Sequence, residues 1–595
     1  MAEAILYGTS RTDDEKFLWN AAFNNSEFIS YITSIPSLID YVGNDLYIPN
    51  NEYDGRIDFG TASFPSCSGY IGASAFNRCK NMTKVAFTNQ NFDPSNMQYI
   101  GERAFNNCPK LSQVIFSAPR NISAYAFAML YNLKSLTMWG AYNSDAEKIK
   151  VDIGEHAFEL CTSIYVSIQH IRNIGDYAFN ECNGMSSLSV GYYYCNRIGK
   201  GAFYNCSTLK SLTVNSYGTD SSTASNNKLI IDDDAFAGCT SLLALSVTNL
   251  KKIGKRAFKN LPNFSSLSAY VRYTESSKST IVDYMVDIDE EAFYGCTAYE
   301  GSYNNISYVN IIHERAYYGC TKLKSMPGWY LCSRVCNNAF YGCTSLSSAI
   351  LNQNGYDILS TAHISVECVL SSSAFAGIDN LSYVSINKIY SIPDYMFSGM
   401  SKLKQANFNI IQMYYLSSYI DYQNEKLNIG SHAFENCSMF SMIFVSAAGD
   451  IGDYAFANCT LLNRASIGSY FCNRVGKSAF KNCSLLTAVF LNGSYPSYSA
   501  SNNQLYIDEY AFENCTGIQT LTIYGVSHIA AHAFDGCTNL RYLNLNNYES
   551  VTYLESIDVF NNAGSDYSVY VPASLYSDFI ADSVWSLISD HITHM

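Results

Sequence analysis

A nine-residue phrase, IGDYAFANC at Ile451–Cys459, recurs in variants along the chain, and no other feature limits the fold so strongly. Aligned on its aromatic residue, eighteen copies fall in phase: Phe76, Phe105, Phe127, Phe158, Phe179, Phe203, Phe236, Phe258, Phe293, Tyr317, Phe340, Phe375, Phe397, Phe434, Phe456, Phe480, Phe512 and Phe534. Phe560, in the segment IDVF, is a weaker nineteenth. The full pattern is I-G-x-x-A-F-x-x-C-x-x-L-x-x-L-x-V. An apolar residue stands five before the aromatic anchor, as at Ile71, Ile100, Ile174, Ile198, Ile253 and Ile451. Alanine usually precedes the anchor, where a small side chain lets neighbouring coils approach. Another apolar residue follows six later, as at Leu111, Leu209, Leu242, Leu323, Leu346, Leu462 and Leu540. The closing L-x-V alternates with period two, which marks a short strand with one buried face. A coil of about 22 residues cannot bury its own apolar side; stacked coils can, so the expected fold is a solenoid.

The written-out pattern resembles the BspA-type leucine-rich repeat over roughly residues 70 to 560. The resemblance implies an α/β repeat, mostly β: a leucine-rich-repeat solenoid of about 18–19 coils. One face would carry a parallel β-ladder, with tight turns and short helical or extended pieces opposite. The tail VYVPASLYSDFIADSVWSLISDHI, Val569 to Ile592, resembles the segment that often closes such arrays. The chain then divides into residues 1–65, an N-terminal cap or attachment segment; 66–565, the solenoid; and 566–595, a C-terminal cap. Within residues 1–65, Asp13 to about Tyr41 reads as an amphipathic helix.

A longer period lies above the coil. Anchor spacings from Phe158 run 21, 24, 33, 22 and 35; from Phe293 they run 24, 23, 35, 22 and 37; from Phe434 they run 22, 24, 32 and 22. Three five-coil blocks therefore begin near residues 153, 288 and 429. YYYCNRIGKGAF (Tyr192–Phe203) answers to GSYFCNRVGKSAF (Gly468–Phe480), with WYLCSRVCNNAF (Trp329–Phe340) between them. The extra residues of the long coils follow the strand, at 215–228, 270–286, 352–368, 410–426 and 492–504, and are rich in Tyr, Ser and Asn. They read as ordered hairpins or as loops.

Composition removes several classes of function. The 37 basic and 51 acidic residues leave a net charge of −14, against a general nucleic-acid binder or an anionic-membrane surface protein. Apolar content of 48% excludes dominant disorder. No run of 18 apolar residues occurs, so no membrane-spanning helix is expected. The first twenty residues carry no visible secretory signal.

Twenty cysteines invite a disulfide or metal reading. Fourteen of them sit three after the anchor, where other coils carry Leu130, Leu261, Ile378 and Met400. A slot that accepts Leu, Ile or Met is apolar and buried, so a ladder of reduced thiols is expected. Cys332-x3-Cys336 is a lone pair. His528-x3-His532 has the spacing of a zinc-binding helix but lacks the accompanying glutamate. The acidic clusters Asp232–Asp234, Asp289–Glu291 and Asp508–Glu509 fall just before the anchor, where aspartate would cap a short helix. No catalytic constellation, metal site or cofactor motif stands in a fitting context.

Tyrosine is the compositional outlier, 49 residues of 595, and the insertions are rich in it. Candidate binding residues are Tyr217, Tyr270, Tyr273, Tyr356, Tyr414, Tyr415, Tyr419, Tyr422, Tyr495 and Tyr498 on the loops. Tyr192, Tyr193, Trp329, Tyr330 and Phe471 form a second stripe on the strand side. Tyrosine offers a large, stiff contact area with a polar tip at low entropic cost. The expected function is therefore non-catalytic recognition or adhesion, binding a host or cell-surface protein or glycan. A phage virion component (fibre or receptor-binding protein) and a purely architectural scaffold are the alternatives. The corresponding place is an extracellular or virion surface, with an intracellular one left open, and the N-terminal segment is a candidate for homo-oligomer formation.

Overall fold

The computed structural model describes residues 39–42, 48–64, 70–87, 98–117, 119–139, 151–162, 165–167, 171–190, 195–214, 228–270, 285–301, 306, 308–328, 331–352, 367–410, 426–445, 447–467, 472–492, 505–546 and 550–595. The chain forms two compact units, Met1–Ser277 and Lys278–Met595. Both are built from the same coil, and most described coils contribute two strands. Among the described residues, those anchored on Phe293 and Tyr317 contribute only the one around the I-G step, Val286–Ile288 and Tyr308–Ile312. The L-x-V segment forms one ladder and the segment around the I-G step forms the second, so the pieces opposite the main ladder are extended rather than helical.

In the first unit the main ladder includes Lys84–Phe87, Gln113–Ser117 and Ser135–Trp139, and later Ser187–Val190, Ser211–Val214, Ala244–Thr248 and Ser266–Tyr270. All pairs are parallel and in register: Leu188, Leu212, Leu245 and Leu267 form one column. In the second unit Val384, Ala406, Ile443, Ala465 and Val489 do the same. Period-two alternation turns these columns inward, and they are buried.

Between the two strands runs a six-residue turn, not a helix. Its centre is the anchor ring, fully buried in every described coil from Phe76 to Phe534. Successive rings lie parallel, as in Phe158–Phe179 at 5.0 Å, Phe203–Phe236 at 5.2 Å and Phe456–Phe480 at 5.0 Å. Two left-handed residues flank the anchor at positions −2 and +2, for example Tyr177 and Glu181, or Tyr454 and Asn458. Position +2 is mostly Gly or Asn, the residues that tolerate this conformation best. That preference, combined with the cysteine slot, generates the recurrent N-C-S/T triplets. A third constraint sits at the I-G step, where backbones touch. A Cβ on Gly175 would lie 2.5 Å from the Gly154 carbonyl carbon, and one on Gly452 2.5 Å from the Ser431 nitrogen.

The cysteine column is a ladder of free, buried thiols. Along the column the S–H donates to the anchor carbonyl of the coil before, as from Cys182 to Phe158 at 3.1 Å, Cys206 to Phe179 at 2.9 Å, Cys459 to Phe434 at 3.0 Å and Cys515 to Phe480 at 3.0 Å. Burial pushes the thiols of Cys161, Cys343 and Cys537 up to about 12.

The coil pattern is already present at Tyr53, whose ring stacks on Phe76 at 5.0 Å. Arg56 takes that coil's cysteine slot, bonded to Asp58 and lying 4.1 Å from the Phe59 ring. Ile39–Val42, the end of the stretch that reads as a helix, is a strand paired with Phe59–Ser63; residues 1–38 lie outside the described ones. At the other end Ser568–Val571 and Ile592–His594 extend the ladder, joined by the short helix Tyr576–Ala581. Trp585 is fully buried there, and its indole N–H donates to the Thr552 carbonyl.

Two measurements check this core. Phe456→Ala removes a ring stacked on both sides and should cost about 3–5 kcal/mol, read as a lowered urea midpoint. At about pH 8 only some one in ten thousand of the Cys161, Cys343 or Cys537 thiols is ionised. Peptide mapping after iodoacetamide treatment should therefore find all three unmodified in the native protein and modified in urea.

Candidate recognition surfaces

Of the aromatic residues that the sequence marks for binding, Tyr192, Tyr193, Tyr217, Tyr273, Trp329, Tyr330, Tyr356, Tyr414, Tyr415, Tyr419, Tyr422, Phe471, Tyr495 and Tyr498 lie outside the described residues. Tyr270 is described by its backbone alone, paired with Thr248 at the end of a main strand. What is described is where the insertions begin. The chain leaves the described residues at Val214, Tyr270, Asn352, Ile410 and Asn492, in each case at or just past the end of a main-ladder strand.

The outward side of that ladder is polar and nearly uncharged. In the first unit Ser187, Ser211 and Ser266 stand in one row and Ser189, Thr213, Ser246 and Ser268 in the next. In the second unit Asn409 Nδ2 donates a hydrogen bond to Asn387 Oδ1 at 2.9 Å, and Asn544 donates to the Thr522 hydroxyl. Met442 and Phe444 interrupt this surface as exposed apolar side chains.

A second surface runs along position −2 of the turns, where the sequence already places His156, His432 and His532, in the column of Tyr177 and Tyr454, as repeat-surface residues. His156 is stacked between Tyr125 and Tyr177, with centroids 4.7 and 5.2 Å away. His432 is stacked between Tyr395 and Tyr454 at 4.6 and 5.0 Å, and His532 lies 4.9 Å from Tyr510. An acid three residues on meets each imidazole Nδ1: Glu159 at 3.0 Å, Glu435 at 2.8 Å and Asp535 at 3.2 Å. The legible signal was H-A-F-E/D, which fixes a histidine and its carboxylate on one turn. His528 belongs to another column, between Tyr506 and Tyr553 at 4.1 and 4.8 Å. The H-x3-H spacing thus unites nothing, because its two imidazoles stack in different ladders. Tyr294, Tyr318 and Tyr341 add a further stack with 4.9 Å steps. Burial holds the His528 imidazole below its ordinary value of about 6.5, against the pull of Glu555 and Asp508.

The aspartates before the anchor cap no helix, because the turn contains none. They bind the following coil instead. Asp176 Oδ1 accepts from the Lys200 N–H at 2.9 Å, Asp233 from Lys255 at 2.8 Å, Asp394 from Ser431 at 2.7 Å and Asp453 from Lys477 at 2.9 Å. Two arginines are held between carboxylates of flanking coils. Arg197 lies 2.6 Å from both Asp176 and Asp232, and Arg474 meets Asp453 and Asp508. Burial pushes the Asp232 and Asp508 carboxyls up, against the opposing pull of the arginines. Among the described residues, no group of three or more His, Cys, Asp or Glu side chains is placed to hold a metal ion. No helix of the described residues is long and apolar enough to cross a membrane.

The family model described as the BspA type leucine rich repeat region matches six times, over residues 46–150, 143–224, 215–281, 265–369, 363–427 and 488–577. Among solved structures, a leucine-rich repeat protein from Bacteroides ovatus is similar at 19% identity, with 80% of this chain and 82% of that one covered and a TM-score of 0.25. A leucine rich cell surface protein from Faecalibacterium prausnitzii is similar at 17% identity, with 62% and 88% covered and a TM-score of 0.26. No curated protein matches the chain. The in-register parallel ladders, the stacked anchors and a family match over well over half the sequence agree. The chain belongs to the BspA-type leucine-rich-repeat family, with the solenoid-type fold of that repeat.

Proposed function

We propose that this chain is a non-catalytic recognition and adhesion protein, working at an extracellular or virion surface, that binds a protein or glycan of a cell through its Tyr-rich insertions and the ladder face beside them. The observation that carries this reading is the common departure point of the insertions. Segments rich in tyrosine leave again and again at the end of a main strand, while the coil that bears them is held by buried rings and backbone bonds. Such a scaffold lends rigidity to variable segments, and function on loops borne by a rigid frame is the general pattern. The uncharged Ser, Thr and Asn rows add hydrogen-bonding groups at little desolvation cost, which suits a polar partner such as a glycan. Catalysis would need a one-off arrangement of nucleophile, acid and base; here the polar side chains are spent on positions repeated from coil to coil.

The test replaces Tyr414, Tyr415, Tyr419 and Tyr422 by serine together and compares variant and parent on a glycan array and in cell-surface pull-downs. Saturable binding by the parent and a loss of at least tenfold in the variant are expected, with the thermal midpoint unchanged. Equal binding by both would remove the loop tyrosines from the interface, and absence of saturable binding by the parent would leave the architectural role.

A further inference from the structure

Position −4 of the coil is where bare backbone packs on the coil before it. In the first five-coil block this column reads Gly154, Gly175, Gly199, Asp232 and Gly254, and in the third Gly430, Gly452, Gly476, Asp508 and Ala530. The middle block reads Asp289, His313, Cys336, Ser371 and Pro393, with no glycine. At Asp289, His313 and Cys336 side chains therefore stand where both sister blocks carry glycine: a Cβ on Gly199 would lie 2.6 Å from Asp176 Oδ1, and one on Gly476 2.6 Å from Asp453 Oδ1. Coil spacing differs at the same place. The Phe340 and Phe375 rings are 6.4 Å apart, whereas the corresponding pairs Phe203–Phe236 and Phe480–Phe512 are both at 5.2 Å. A cavity of about 370 Å³ opens there, lined by Glu290, His313, Glu314, Cys336, Asn337 and Ser371.

The sister blocks show what chemistry this place accommodates. Arg197 and Arg474 are each held by two carboxylates, one from the coil before and one from position −4 of the coil after. Arg334 is their counterpart and is exposed on the strand Leu331–Val335. Glu314 stands at the aligned position of the first acid but pairs with Arg315 at 3.5 Å, and Ser371 stands where Asp232 and Asp508 supply the second.

We propose that this notch is a binding site for a small ligand bearing a single carboxylate, which takes the place beside Arg334 and Ser371 that an aspartate fills in the sister coils. The guanidinium then gains a charge-assisted partner, and the Ser371 hydroxyl donates to the same group. Glu290 and Glu314 on the cavity wall disfavour ligands with further negative charge. The volume admits a body the size of an acidic residue or a hexuronic acid. This site is separate from the loop tyrosines, so it stands or falls independently of them.

Cys336 supplies the readout, because it is the one cysteine among the described residues that is not buried. Burial holds its thiol above the ordinary value, so alkylation by iodoacetamide is followed near pH 9 and mapped to Cys336 by peptide mass. N-acetyl-aspartate methylamide and methyl glucuronide are the two probes, at about 20 mM, a concentration that gives at least threefold slowing for a dissociation constant of about 10 mM or tighter. At least threefold slowing by one or both is expected in the parent, and slowing by one alone identifies an acidic peptide or a sugar acid as the source. Neutral methyl glucoside should have no effect. Arg334→Gln removes the cation and Ser371→Asp refills the slot from within, so both should abolish the slowing. A thermal midpoint raised by the probe in the parent and not in Arg334→Gln is the second measure. Slowing that persists in both variants, slowing by the neutral sugar, or no response of the parent in either measure overturns the proposal.

Discussion

The backbone of the anchor residue governs how far apart the coils stand. Its N–H donates to the carbonyl of the alanine in the next coil, as from Phe158 to Ala178 and from Phe434 to Ala455, both at 2.7 Å. Its own carbonyl accepts the S–H of the next coil's cysteine. Both polar groups of one residue are thus satisfied by the same neighbour, which a buried backbone requires. Once that spacing is set near 5 Å, rings stack, alanine must be small, and the I-G step leaves no room for a side chain. Aromatic stacking is then a result of the bonding pattern as much as a cause of stability; each such pair adds about 0.5–1.5 kcal/mol beyond burial.

Two left-handed residues in nearly every described turn are a cost that the array accepts. At +2, Asn and Gly keep it small. At −2 the occupants are mostly Tyr, His, Arg, Ser, Glu and Asp, which enter this region at about 1–2 kcal/mol each, with Asn338 and Gly201 the exceptions that tolerate it. Their backbone N–H groups bond the next coil, as from His156 to Asp176 at 2.9 Å and from Tyr454 to Lys477 at 2.8 Å. Their side chains stack or pair along the surface. The conformation that costs most locally is the one that points these groups outward in file.

Much of this was legible in the sequence, for a physical reason: a coil that must match its neighbours cannot drift in pattern. The anchors, the inward leucines and valines, and the apolar character of the cysteine slot all follow from the spacing of residue types. Leu, Ile and Met sharing a position with Cys was enough to expect buried thiols at Cys182 or Cys459. Their sulfur-to-carbonyl bonds were not legible, because side-chain chemistry alone does not say where the nearest carbonyl of another coil falls. The second strand was missed for a similar cause. The I-G segment has too few residues to show alternation, and only partners such as Ile174 and Ile198 make it a strand. The aspartates were read as caps because a polar residue before an apolar run has that meaning in helices; here Asp176 and Asp453 reach across to the adjacent turn. The middle block's break at His313, Cys336 and Ser371 was visible in the aligned letters, but its significance depends on knowing that glycine there touches backbone.

The points from which the insertions depart have a last consequence. Because the chain steps away only after a main strand has completed its pairing, and comes back before the next I-G strand begins, length and composition between those points are uncoupled from the ladder. Val214 and Leu229, or Asn492 and Leu505, keep their partners whatever is spliced between them. Such an arrangement resembles a comb whose teeth can be recut one at a time: selection acting on a single insertion meets no penalty from the spine, so lineages of this repeat are free to diverge in what they touch while remaining alike in how they fold.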